Sequence, residues 1–142
     1  AYGRSKTANA LFAAEFDRRH KGRGVRATAV HPGGIMTELG RHIGEGELEA
    51  LAEQLDAAEK AAGNEGFEFK TIPQGAATSV WAAVVADADA VGGQYCEDCH
   101  VAGLVDAEAA FSIRGGVRAY ALDPDNAKAL WAKSEEMVGE RF

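Results

Sequence analysis

Val25-Arg26-Ala27-Thr28-Ala29-Val30, running into His31-Pro32-Gly33-Gly34, decides the fold class of this chain. Val25, Ala27 and Ala29 alternate with Arg26, Thr28 and Val30, and the run ends on a β-branched residue, which predicts a short strand over 25–30. Pro32 cannot donate to a ladder and Gly33-Gly34 permits unusual backbone angles, so the strand must stop there. Upstream, Ala8, Leu11, Phe12 and Phe16 recur at helical spacing between Tyr2 and His20, with Arg18 and Arg19 in the last turn and Gly22 and Gly24 as stop signals. A helix, a tight turn, a strand and a Gly-rich loop at the strand's C-terminal end make half of a βαβ arrangement.

The rest of the chain extends the same pattern. Glu45 to Ala62 carries Leu48, Leu51 and Leu55 at helical spacing against a dense acidic face. It reads either as a flap or as a solvated surface helix. Thr71-Ile72-Pro73-Gln74 is a capping box with Pro in the first turn, launching an apolar helix over 74–86 whose Val80, Trp81, Val84 and Val85 imply burial on several sides. Gly92-Gly93-Gln94-Tyr95-Cys96 turns into another short strand near 94–97. Asp123-Pro124 caps a terminal helix over 124–138 through Leu130, Trp131 and Met137. The order helix, strand, helix, helix, strand, helix gives an α/β class.

Composition narrows the function. At 142 residues the length suits one domain able to bury roughly two-thirds of its unfolded surface. Fifteen Lys and Arg against 22 Asp and Glu give a net charge of −7 with no basic stripe, which argues against nucleic-acid binding. The longest apolar-rich stretch, Gly75 to Ala86, is too short to span a bilayer, so no membrane segment is expected. Two cysteines are too few for a disulfide scaffold, and the default location is a reducing cytoplasm. The chain opens on Ala1-Tyr2-Gly3-Arg4-Ser5-Lys6 as though entered in mid-element.

That opening carries the chemistry. Tyr2 and Lys6 are four residues apart on one helix and share a face. A phenol is a poor acid or base at neutral pH, and an ammonium one turn away favours the phenolate, which is the tuning general acid–base catalysis requires. Alone the spacing is weak, since a Tyr packed beside a solvated Lys is common on helices.

Its surroundings add to it. Tyr2-Gly3-Arg4-Ser5-Lys6 with Ala8-Asn9, a Gly-terminated helix, a strand, and then Pro32-Gly33-Gly34-Ile35-Met36-Thr37 together resemble the short-chain dehydrogenase/reductase family. Thr71-x-Pro-Gln-Gly-Ala-Ala, Tyr95-x-Glu-Asp-Cys and Leu130-Trp131-x-x-Ser134-Glu135-Glu136 resemble its retinol-dehydrogenase-like branch. The resemblance covers nearly the whole chain and implies the C-terminal part of a doubly wound parallel-sheet domain of Rossmann type. It implies that Tyr2 gives and takes the proton while an alcohol and a carbonyl interconvert on a small to medium apolar substrate. Lys6 would favour the Tyr2 phenolate and bond the nicotinamide ribose of NAD or NADP. Pro32, Gly33 and Ile35 would shape the loop against the nicotinamide, Thr37 would bond its carboxamide or the pyrophosphate, and residues 38–72 would form the substrate loop and flap. The family's Gly-rich fingerprint, Asn motif and catalytic Ser lie upstream of its Tyr helix. Ser5 does not replace that Ser, and His31 stands where many members carry Asn. The chain by itself is therefore expected to bind dinucleotide poorly.

Competing assignments remain. Cys96-Glu97-Asp98-Cys99-His100 spells a haem-attachment pattern, and a Cys2His zinc site could recruit His20, His31 or His42. Free cysteines in such a chain read more simply as small buried hydrophobes, so no metal is expected. The glycine pairs at 22/24, 92/93 and 115/116 read as turn punctuation, and Trp81 and Trp131 as core. A second hypothesis is a non-catalytic interaction or assembly module. The strand at 25–30 would then offer a free edge, and the resemblance implies that the Tyr-bearing helix and the last apolar helix would line contacts in a homo-oligomer.

Overall fold

The computed structural model describes residues 1–38, 44, 46–61, 63–106 and 115–142. The chain is α/β. Helix α1 (Tyr2–His20) leads through a 3-10 turn (Lys21–Arg23) to strand β1 (Ala29–His31). After the loop come α2 (Glu47–Ala61) and α3 (Ile72–Val80), the latter continuing as a π-helical turn (Trp81–Val85), then the short α4 (Ala88–Val91). Strands β2 (Tyr95–Glu97), β3 (His100–Val101), β4 (Leu104–Val105) and β5 (Val117–Arg118) precede the terminal α5 (Pro124–Val138). The central sheet has the order β1-β2-β3, with β1 and β2 parallel in the register Ala29↔Tyr95, Val30↔Cys96, His31↔Glu97. A two-residue turn, Asp98 and Cys99 at φ 45° and 57°, joins β2 to antiparallel β3, while β4 and β5 form a separate parallel pair. Among the described residues β1 pairs on one side only, which is the free edge foreseen from the sequence.

The predicted strand is displaced. Val25 to Thr28 makes no ladder, because its backbone is engaged elsewhere: the Ala27 N–H donates to Asp17 Oδ1 at 3.2 Å and the Ala27 carbonyl accepts from Gly93 N–H at 2.7 Å. Pairing begins at Ala29 and runs one residue past Val30, into His31. Burial pushes the Asp17 carboxyl up, but hydrogen bonds from Arg26 and from Ala27 N–H hold it below its ordinary value. Arg26 also bonds Asp89, so this one guanidinium fastens α1 to α4.

Where α1 meets α5, the packing is dense. Trp131 is buried, Phe12 stacks on it at 5.6 Å and Phe16 leans in at 6.3 Å. The Arg19 guanidinium lies 4.5 Å over the indole. Glu15, fully buried on the same helix, takes Arg18 through both oxygens at 2.7 Å and Arg19 at 2.8 Å, so the arginines satisfy a carboxylate that burial alone would destabilise. On the other side of α1, Ala10 packs with Val117 and Ala121 against Ala29, Tyr95 and Leu122.

Helix α3 starts two residues before the predicted position, with the capping box in place: Thr71 N–H donates to Gln74 Oε1 at 2.8 Å and Gln74 N–H to Thr71 Oγ1 at 3.4 Å. The expected burial of its valines is overturned. Val80, Val84 and Val85 are 55%, 77% and 69% exposed, and Trp81 is half-buried. The face that α3 does bury carries Gly75 and Thr78, the one against Ile35 and the other taking Cys99 N–H on its hydroxyl. No described element covers the valines. The predicted ends of α2, Glu45 and Ala62, and part of the 38–72 loop lie outside the described residues.

Candidate active site

Tyr2 sits in the first turn of α1, 66% exposed, and Lys6 follows one turn later with its Nζ 5.1 Å from the Tyr2 ring centroid. The helical i, i+4 spacing brings them together, as the sequence implies. Tyr2 also borders a cavity of about 900 Å³ whose lining includes Gly33 and Gly34 at the carboxyl end of β1. Ligands of α/β sheets gather outside the carboxyl ends of parallel strands, and both β1 and β2 point their ends here.

The loop is split in its roles. Gly33, at φ +87°, and Gly34 line the cavity with bare backbone. The Ile35 side chain sits against Gly75 of α3, where a Cβ would overlap it. Ile35 also pairs with Lys70 in an isolated parallel bridge, and Lys70 N–H donates to the Gly34 carbonyl at 2.8 Å. Pro32 and Thr37 are exposed, and neither they, Ile35 nor Lys6 lies among the described lining residues. His31 closes β1, stacked 6.3 Å from Tyr95.

Several lining residues fall in the 38–72 segment expected as substrate loop and flap without having been singled out, and Glu97 and Asp98 lie outside it. Lys70 lies across Gly33 and pairs with Asp98 in the β2–β3 turn, tying the Gly-rich loop to the hairpin. Leu51 and Leu55 of α2 join Phe67 and Phe69, which meet edge-on at 5.0 Å, in an apolar wall. Two buried carboxylates, Glu59 and Glu97, line the same space; Glu59 takes Asn64 Nδ2 at 2.7 Å. Burial and the Glu97 charge push the Tyr95 phenol above its usual value. The alternation of Phe67 and Phe69 about Glu68 was a usable signal for one wall; Lys70 and Glu97 depend on contacts far apart in sequence.

The Cys-x-x-Cys-His run does not converge. Cys96 is buried with its Sγ 3.4 Å from Thr28 Oγ1, whereas Cys99 stands exposed in the hairpin turn. His20 is held on the Phe16 carbonyl, and His42 lies outside the described residues. Among the described residues, no group of three or more His, Cys, Asp or Glu could hold a metal ion. No described helix is long and apolar enough to cross a membrane.

No protein-family model matches the chain, and no solved structure does. Curated proteins do. Oxidoreductase calI of Penicillium decumbens is 41% identical over 140 residues, 98% of this chain and 39% of its own length. Short-chain dehydrogenase/reductase prx1 of Penicillium roqueforti is 36% identical over 140 residues, 97% of this chain and 38% of its own length. Retinol dehydrogenase 14 of Mus musculus is 37% identical over 138 residues, 97% of this chain and 35% of its own length. The chain thus spans between 35% and 39% of these relatives, matching their C-terminal part.

Proposed function

We propose that this chain, which belongs to the short-chain dehydrogenase/reductase family, carries the proton-transfer half of an NAD- or NADP-dependent alcohol–carbonyl oxidoreductase. The observation that supports this most is Tyr2, with Lys6 one turn behind it, at the mouth of a cavity bordered by Gly33 and Gly34. The coarser reading, an oxidoreductase, agrees with the names of the matched relatives. The parallel β1–β2 pair is consistent with one part of a doubly wound sheet of Rossmann type.

The residues present fit a nicotinamide. Gly33 and Gly34 bring backbone to the cavity wall, with Lys70 across Gly33, and the exposed Tyr2 and Lys6 would bond a ribose. Pro32, Gly33, Ile35 and Thr37 would hold the ring and its carboxamide, and the bound dinucleotide supplies or accepts the hydride. The protein's part is the proton. In reduction, the Tyr2 O–H donates to the substrate oxygen as the carbonyl carbon gains its hydride; in oxidation, the phenolate takes that proton back from the alcohol. The Lys6 ammonium, 5.1 Å from the Tyr2 ring centroid, stands beside the group that would handle the proton and would bond the nicotinamide ribose. Leu51, Leu55, Phe67 and Phe69 offer an apolar body its place. A substrate of small to medium size suits the space, and two free cysteines suit a reducing cytoplasm.

The test is Lys6→Ala in the full-length gene product. Turnover with NAD(P)H and an aldehyde should fall about a hundredfold, in the range of acid–base contributions, and calorimetric cofactor affinity should weaken with it. Unchanged rate and affinity would contradict the assignment.

A further inference from the structure

Among the described residues that line the cavity, Glu97 is a buried carboxylate that accepts a single hydrogen bond. Its residue is 6% exposed, at the carboxyl end of β2, paired in register with His31 just before the Gly-rich loop. Oε1 accepts the Gly116 N–H at 2.6 Å. Oε2 accepts no hydrogen bond, and no cation pairs with the group, among the described residues. Gly115 lies so close that a Cβ there would strike the carboxylate, and Glu97, Gly115 and Gly116 all border the cavity. A carboxylate offers about four acceptor positions, and the Gly116 N–H fills one of those on Glu97. Of the other carboxylates that line the cavity, Asp98 is engaged by Lys70 and Glu59 by Asn64, while Glu68 is exposed.

We propose that Glu97 anchors the non-reacting end of the substrate, accepting a hydrogen bond from a hydroxyl or ammonium head on an otherwise apolar molecule. This rests on the cavity being the active site of an alcohol–carbonyl oxidoreductase. The apolar wall takes the body, Tyr2 meets the reacting end, and Glu97 takes the donor at the other. An acidic head is rejected, because the described lining holds Glu59, Glu68, Glu97 and Asp98 against Lys70, whose ammonium Asp98 already occupies. A charged donor gives the stronger bond and a hydroxyl the weaker.

Four primary alcohols test it with the full-length gene product and NAD⁺ or NADP⁺: 1-decanol, 1,10-decanediol, 10-amino-1-decanol and 10-hydroxydecanoic acid. The diol and the amino alcohol should exceed 1-decanol in kcat/KM by about tenfold, with the hydroxy acid lowest. Glu97→Leu should compress the ratios to within twofold. Glu97→Gln, which keeps an acceptor and the shape, should retain the diol preference and lose the amino alcohol preference; it decides the matter should the Leu variant fail to fold. Ratios near one in the wild type, or ratios unaltered in both variants, would overturn the anchor. Calorimetry with decylamine, which does not react, separates the two readings. Binding weakened tenfold by Glu97→Gln without any alcohol turnover upholds the anchor and rejects the oxidoreductase. Equal binding by both proteins rejects the anchor whatever the turnover.

Discussion

The α1–α5 contact and the outer face of α3 are built from the same kind of residue and end differently. Phe12, Phe16 and Trp131 find one another, with Glu15 and the arginines closing the polar ends. Val80, Val84 and Val85 stay more than half exposed. Apolar periodicity specifies that a face wants cover, while coverage itself is a property of what lies opposite. Stability should therefore be concentrated in the first region, and chemistry in the cavity between β1, β2 and the loops.

Substitution separates the two regions. Trp131→Ala removes the shared partner of Phe12 and Phe16 and should cost about 3–5 kcal/mol, read from the denaturant midpoint. A loss below about 1 kcal/mol would dissolve the contrast. Acid should attack the same region. The Arg18 hydrogen bonds, aided by Arg19 and opposed by burial, hold Glu15 at about 2 against an ordinary 4.5. A carboxyl depressed on folding stabilises above its unfolded value and loses that contribution as pH falls through the folded one. Roughly 3 kcal/mol, present at pH 7, should thus disappear between pH 5 and 2. Glu15→Gln should flatten that part of the profile; an unaltered acid limb would contradict the ion-pair account.

The loop side responds more weakly. Gly75→Ala places a Cβ against Ile35 and should destabilise by about 1–2 kcal/mol in a thermal melt, since Ile35 is also braced by its bridge to Lys70. A stabilised variant would mean that Ile35 moves aside freely. Val84→Ala, at a position 77% exposed, should stay within about 0.5 kcal/mol. A loss of several kcal/mol there would reveal a covering partner and erase the comparison.

Much of this was legible in the sequence for local reasons. Helix α5 follows from Asp123, whose carboxylate accepts from Asp125 and Asn126 N–H at 3.1 and 2.8 Å, and from Pro124 after it. The capping box at Thr71 and the pairing of Tyr2 with Lys6 are equally local, since each joins residues within one turn. The failures are non-local. Val25 to Thr28 has the alternation of a strand, but Asp17 and Gly93 claim its backbone from elsewhere in the chain. Glu97 sits among Tyr95, Cys96 and Asp98 with nothing to mark it as buried, and Lys70 reaches the cavity only through Gly33 and Asp98. The candidate site was thus partly visible: Tyr2, Lys6 and the glycines by motif, and the apolar wall only as a segment, 38–72, whose individual contacts depend on the fold.

The central claim, that Tyr2 handles the proton, is tested most directly by Tyr2→Phe in the full-length gene product. Tyr2 is exposed and the substitution removes only its hydroxyl, so the circular dichroism spectrum and melting temperature should be unchanged. NAD(P)H-dependent aldehyde reduction should fall by about a thousandfold or more in kcat. A folded variant that retains its kcat would contradict the account.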